Sequence, residues 1–326
     1  MTHFSGATPK RLSHDHGHHH DHSGVFHTHA PEGQMKRAFF WTVIILIVEV
    51  CGGLISHSLA LLSDAGHVLT DLFALGLSWY ALTQAKKPAT ERMTYGYHRS
   101  GILAALINGM TLLVITVIIL VEAYQRFLHP TPIQPYWMIG PAAIGLGINL
   151  YLGFGMKGHD NLNVRSAVLH MLGDAAASAG VIVAALLIAI THRDFFDPLL
   201  SVLIALLIAF GAWRIVGQTV SILMEGTPKG IETDAVVTAL RHIPSVEDVH
   251  DVHIWSITSG RNALSCHVVL DGSLTIAESQ SILRTMEHEL EHFGIQHVTI
   301  QTEDGSHPHE ATVLCAEATE RSHGHG

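Results

Sequence analysis

The sequence predicts an α-helical membrane protein: six transmembrane helices followed by a small α+β domain placed in the cytoplasm. Three observations carry that prediction. The 326 residues are 48% hydrophobic and only 14% charged, against roughly a quarter charged in soluble domains. Six apolar stretches follow one another near residues 38–56, 59–84, 101–125, 136–156, 164–191 and 196–218. Each is long enough for the roughly 20 residues that cross a bilayer as helix. From about residue 227 the sequence turns to amphipathic helix and alternating strand.

Residues 1–35 form a polar tail carrying HDHGHHHDH at 14–22, then His27 and His29. No apolar core precedes a small-residue cleavage site, so the tail does not read as a secretory signal. Its His16, His18, His19, His20 and His22 are either an accessory metal-collecting segment or a solvated low-complexity tail. The membrane domain spans 36–220. Lys36 and Arg37 precede the first span, Lys86, Lys87, Arg92 and Arg99 lie between the second and third, and Lys157 and Arg165 separate the fourth and fifth. The opposite loops offer little beyond Arg126 and Arg193. The positive-inside rule therefore puts both termini in the cytoplasm.

The second domain spans 227–305. ETDAVVTALRHI reads as helix, VEDVHDVHIWSI and ALSCHVVLD as strands joined at SGRN (259–262), AESQSILRTMEHELEHF as amphipathic helix and HVTIQTE as a last strand. That order predicts a sheet with helices on one face. Residues 306–326, with four further histidines, are expected to be disordered. A net charge of −10 without a basic patch argues against a nucleic-acid partner. Cys51, Cys266 and Cys315 form no CxxC pair, so neither a disulfide framework nor a thiolate zinc site is indicated.

Histidine is abundant, at 27 residues, and its placement carries the chemistry. In SDAGHVLTD, His67 and Asp71 are four apart, on one face of a helix, with Asp64 one turn before His67. In VLHMLGDAAAS, His170 and Asp174 repeat the spacing. A single such pair in a soluble helix is more often a packed hydrogen-bonded pair. At bilayer depth each aspartate costs about 2.5–3.5 kcal/mol, so two cost roughly 5–7 kcal/mol and need compensation. Two imidazoles and two carboxylates supply four ligands, a set that suits tetrahedral Zn²⁺ and neutralises the dication. There is no thiolate to select a softer ion and too few oxygens for a Ca²⁺ or Mg²⁺ cage. When the metal leaves, the facing carboxylates favour protons in its place. Metal–proton exchange is the expectation. Asp64 is either a metal-guiding group or an interhelical hydrogen-bonding one, and Glu49 and Glu122 are proton-relay or packing groups.

SLALLSDAGHVLTD, LNVRSAVLHMLGDAAASAG, LMEGTP (223–228) and HDVHIW (250–255) together resemble the cation diffusion facilitator family, over residues 36 to 303, and within it the zinc-exporting branch. The resemblance implies a homodimeric proton-coupled Zn²⁺ exporter of the bacterial inner membrane, with a ferredoxin-like cytoplasmic domain. It implies His67, Asp71, His170 and Asp174 as transport ligands, and zinc preference from the histidine of the second-span pair; Cd²⁺ is a second substrate. It also implies regulatory metal in the cytoplasmic domain. Positions that fit are His250, His267 and Glu303, with His297 and His253 nearby, although Gln301 stands where some members have histidine. By its setting beside Ile254 and Trp255, His253 reads as a structural histidine. Two other classes compete. A membrane-anchored sensor or store needs no buried charge in its anchor. An intramembrane zinc hydrolase needs an open metal position and a base, and no HExxH lies within the six apolar stretches; the one at residues 288–292 falls in the C-terminal domain.

Overall fold

In the computed structural model the described residues are 32–155, 162–306 and 313. Six helices are long and apolar enough to cross a membrane: α1 (Glu32–Ser56), α2 (Leu59–Ala85), α3 (Ser100–Leu128), α4 (Pro135–Gly155), α5 (Leu162–Thr191) and α6 (Phe196–Leu223). They match the six apolar stretches, but α1, α3 and α6 run past the ends read from apolarity. Arg126, which pairs with Glu122 one turn before it at 3.1 Å, belongs to the part of α3 beyond the apolar stretch. Apolarity falls off before helicity does.

Large apolar side chains face outward on every span, among them Ile47, Trp79, Ile118, Tyr151, Ile190 and Phe210, as a lipid-facing surface requires. The interior mixes larger side chains such as Leu61 and Met138 with many small ones, including Ala60, Ala142, Val181, Ala185, Ala205 and Ala212. Lipid is as apolar as a side chain, so helices associate through close packing rather than burial from water. A β-carbon at Gly109 would meet Val216 Cγ2 at 2.8 Å, which is how closely α3 and α6 approach. These two form one extensive contact, and α4 with α5 forms another, while α2 touches α5 over only a short stretch.

One end of the membrane domain is tied by a buried carboxylate. Asp197, in the first turn of α6, is fully buried. It accepts the Ser58 hydroxyl and the backbone N–H groups of Leu59 (2.7 Å) and Ala60 (3.2 Å). It therefore caps α2 from another helix, satisfying donors that have no intrahelical partner and no water at this depth. Arg126 lies 3.7 Å from the same carboxylate and donates to the carbonyl of His57.

The C-terminal domain runs α7 (Thr233–Arg241), β1 (Val246–Thr258), β2 (Arg261–Leu270), α8 (Ile276–His292) and β3 (Ile295–Glu303). This is the order the sequence predicts. Its sheet has strand order β1-β2-β3, with β1 and β2 antiparallel and β2 and β3 parallel. Ser259 and Gly260 alone make the β1–β2 turn, Gly260 at φ 75°, so the strands reach further into SGRN than alternation indicated. Val236, Leu240, Val249, Leu264, Met286 and Leu290 fill the core between sheet and helices. Thr275 caps α8 in a reciprocal capping box with Glu278, a geometry that also lowers the Glu278 carboxyl pKa. The segment holding His16, His18 and His20 lies outside the described residues. So does the C-terminal tail except Val313, whose carbonyl accepts the Val252 N–H at 2.9 Å.

Candidate metal centres

Helical spacing places His67 and Asp71 on one face of α2, and His170 and Asp174 on one face of α5. The short crossing of the two helices brings the faces together. Each imidazole Nε2 then points at both carboxylates. His170 lies 3.2 Å from Asp71 and 3.7 Å from Asp174. His67 lies 3.4 Å from Asp174 and 3.8 Å from Asp71. The rings meet edge to face with centroids 5.9 Å apart. Nitrogens and oxygens thus alternate around one small space.

The four nitrogen–oxygen separations are compatible with Zn²⁺, and Asp71 stands outside the three residues whose ligand atoms all lie within 4.8 Å of one another. Four ligands at the Zn–N and Zn–O lengths of about 2.0–2.2 Å stand about 3.3–3.6 Å apart along the edges of a tetrahedron. The four observed separations straddle that range. Ca²⁺, with six to eight oxygens at about 2.3–2.6 Å, would need donors that this space does not offer among the described residues. His67, His170 and Asp174 each offer a ligand atom within 4.8 Å of the other two. His67 Nδ1 is buried and has no hydrogen-bond partner among the described residues. Metal-ligating imidazoles are usually fixed through that second nitrogen; among the described residues this ring meets polar partners only through Nε2.

Asp64 does not join the ring. It is 1% exposed and accepts the Ser178 hydroxyl of α5 at 3.1 Å, which places it in the interhelical role. Sequence reasoning named Glu49 without placing it. It is 1% exposed on α1.

A second cluster forms on the sheet of the C-terminal domain. Register puts His250 of β1 directly opposite His267 of β2, and Glu303 of β3 pairs with Val269, two residues beyond His267 and so on the same face. Glu303 lies 3.0 Å from His267 Nδ1 and 3.5 Å from His250 Nε2. These three likewise offer ligand atoms within 4.8 Å of one another. Gln301 supports the carboxylate, donating to Glu303 Oε1 at 2.9 Å.

His253 and His297 do not reach this cluster. A bulge between His250 and His253 shifts the register by one, leaving His253 exposed rather than buried beside Ile254. His297 packs its ring on Tyr95 of the α2–α3 loop, lining a cavity with His98 and Arg261. Asp251, unnoticed in the sequence, sits in the bulge at φ 49°. Its carboxylate lies 3.6 Å from His267 and 3.2 Å from His253, making it a fourth donor, and the second acidic one, at the rim. The only sequence signal for it was its place between two strand histidines.

Comparison with known proteins agrees with this organisation. The family model described as the cation efflux transmembrane domain matches residues 35–224, and the one described as the cation efflux protein, cytoplasmic domain, matches residues 228–305. The chain is 43% identical over 302 residues to the cadmium, cobalt and zinc/H(+)-K(+) antiporter of Bacillus subtilis, covering 90% of this chain and 97% of that one. It is 39% identical over 296 residues to zinc transporter ZitB of Escherichia coli, covering 88% and 92% of the two chains. It is 38% identical over 291 residues to the metal cation efflux system protein CzcD of Cupriavidus metallidurans, covering 88% and 90%. With both domains matched in order and nearly the whole length aligned, the chain belongs to the cation diffusion facilitator family of multi-pass membrane transporters.

Proposed function

We propose that this protein exports Zn²⁺ from the cytoplasm of a bacterium, across the inner membrane, in exchange for protons, by alternating access to the His67–Asp71–His170–Asp174 site. The observation that carries this reading is the alternating ring of two imidazoles and two carboxylates at tetrahedral-edge spacing. Zn²⁺ takes the Nε2 lone pair of each histidine. A proton on the same Nε2 turns it into a donor to the flanking carboxylates. Metal and proton therefore contend for the same atoms, and binding one releases the other. The ligands come two from each of two helices that share little other contact, so separating α2 from α5 splits the site in half. That is the geometry alternating access needs.

The names of the relatives point the same way, covering zinc, cadmium and cobalt as cargo and antiport as the mode. Cd²⁺ is a second substrate, taking the same ligands with longer bonds. The loop charges orient both termini and the C-terminal domain toward the cytoplasm. There His250, His267 and Glu303 hold a regulatory Zn²⁺, and the domain pairs two copies of the chain into a homodimer.

The test is zinc flux into proteoliposomes under an imposed pH gradient, with the wild type beside a variant carrying His67→Ala and Asp174→Ala. Wild-type flux that follows the gradient, with a folded but silent variant, is expected. A wild type that binds zinc only through its C-terminal domain and moves none overturns the reading in favour of a membrane-anchored sensor. Replacing the pH gradient by a K⁺ gradient separates the two counter-ions in the Bacillus relative's name.

A further inference from the structure

Glu49 is the one glutamate buried in the core of the described membrane domain, and the metal site does not use it. Both carboxylate oxygens are buried without a hydrogen-bond partner among the described residues. The space it occupies exists because residue 145 of α4 is glycine. A β-carbon there would lie 2.6 Å from Glu49 Oε1 and 3.2 Å from the Ser178 hydroxyl. Glu49 and Ser178 thus flank the same small gap without being bonded to each other. Ser178 in turn donates to Asp64, one helical turn before His67.

The groups that act on Glu49 electrostatically are Asp64 and His67 of α2 and Asp174 of α5. The other helix packed on α1, α4, carries no Asp, Glu, His, Lys or Arg between residues 135 and 155. No cation is therefore stationed beside Glu49 to neutralise it permanently. A carboxylate in a low-dielectric interior without donor or counter-charge is unfavourable, and a carboxylic acid much less so. Yet Glu49 is not among the groups whose ligand atoms converge on the imidazoles.

We propose that Glu49 is a proton-carrying site of the exchange, distinct from the metal ligands and linked to them through Ser178 and Asp64. The inference rests on the proton-exchange reading above and extends it. Metal arriving between Asp71 and Asp174 changes the field at Glu49, and the proton held there is passed along or withdrawn through the Ser178 hydroxyl. Gly145 keeps the gap open for that transfer.

Proton release on zinc binding, followed with a pH indicator for the full-length protein in detergent, tests this alongside zinc flux in proteoliposomes. Glu49→Gln preserves size and removes the exchangeable proton. It should bind zinc at the helical site with affinity close to wild type, release one proton fewer per metal bound, and lose much of its flux response to the pH gradient. A purely structural glutamate would not change the proton count. Ser178→Ala keeps the acid but cuts the link. It should leave the count unchanged and slow the release. Glu49→Gln with wild-type proton count and gradient response overturns the inference and leaves the exchange reading standing. A wild type that moves zinc with no proton counterflow overturns both.

Discussion

Two clusters of imidazole and carboxylate sit in this molecule, one among the membrane helices and one on the C-terminal sheet, and they are built differently. In the membrane, His67, Asp71, His170 and Asp174 are contributed two and two by helices whose mutual contact is short. In the C-terminal domain, His250, His267 and Glu303 come from three neighbouring strands paired in one sheet, with a bulge following His250. Sliding a strand by one residue against its neighbours would flip its side chains to the other face, so the pairing as a whole resists movement. A crossing of two helices can open by a small rigid-body tilt. The same ligand chemistry is thus mounted once on a hinge and once on a frame. A mobile site suits cargo that must leave, and a fixed site suits an ion that reports concentration.

The largest expected effect comes from breaking the mobile site. Asp71 faces both imidazoles, so Asp71→Asn removes a charge from two of the four edges at once. Zinc flux in proteoliposomes should fall by at least about 100-fold, beyond the roughly 10–100-fold typical of supporting residues around a metal. The protein should still elute as a folded species, because neutralising a buried aspartate lowers an insertion cost. Flux within a few-fold of wild type would mean the ring is not the transport site.

How much of this was legible beforehand follows from the range of the forces involved. The i, i+4 spacing of His67 with Asp71 and of His170 with Asp174 is a local property, and α2 and α5 present the pairs as the spacing implies. The six spans were readable because each must be apolar over its full length. Contacts set by distant segments were hidden. Asp197 caps α2 across 138 residues, and nothing local in FDPLL announces it. Asp251 approaches His267 only because a bulge turns the strand there, and a period-2 reading cannot foresee an extra residue. The gap beside Glu49 depends on Gly145 in α4, a glycine that alone reads as a packing residue.

The fixed site offers the next test. Glu303 touches both strand histidines, so Glu303→Gln should weaken zinc binding to the C-terminal domain by about 10–100-fold. Titration calorimetry on the full chain carrying Asp71→Asn isolates that binding from the membrane site. Maximal zinc flux of Glu303→Gln alone should stay within about three-fold of wild type under the proposal that an ion there modulates and is not carried. A collapse of flux as deep as that of Asp71→Asn would erase the distinction between hinge and frame.

A smaller effect probes the frame without touching its ligands. Thr275 accepts the Glu278 N–H at 3.3 Å while Glu278 binds the Thr275 N–H at 2.8 Å. Thr275→Ala removes half of that reciprocal cap and should cost about 1 kcal/mol of C-terminal domain stability. The readout is the lower-temperature unfolding transition of the purified protein. Zinc bound at the sheet should recover part of the loss by mass action, while zinc flux through the membrane domain should not change.

The gentlest test uses a thiol already in place. Cys266 precedes His267 on β2 and is fully buried in the sheet core. Burial pushes its thiol up to about 12, with Asp251 adding to the shift. The thiolate is the reactive form, so the folded state offers almost none at pH 7–8, and alkylation proceeds only when the sheet opens. Cys51 is exposed on the membrane surface, serves as an internal reference and is separated from Cys266 by peptide mapping. If the sheet is a frame, zinc should slow Cys266 alkylation by about three-fold or more, because the ion binds the closed state and not the open one. Cys51 should be unaffected. A zinc-insensitive rate at Cys266 would mean that the cluster forms without tightening the strands. The difference between the two sites would then lie in their surroundings rather than in how they are mounted.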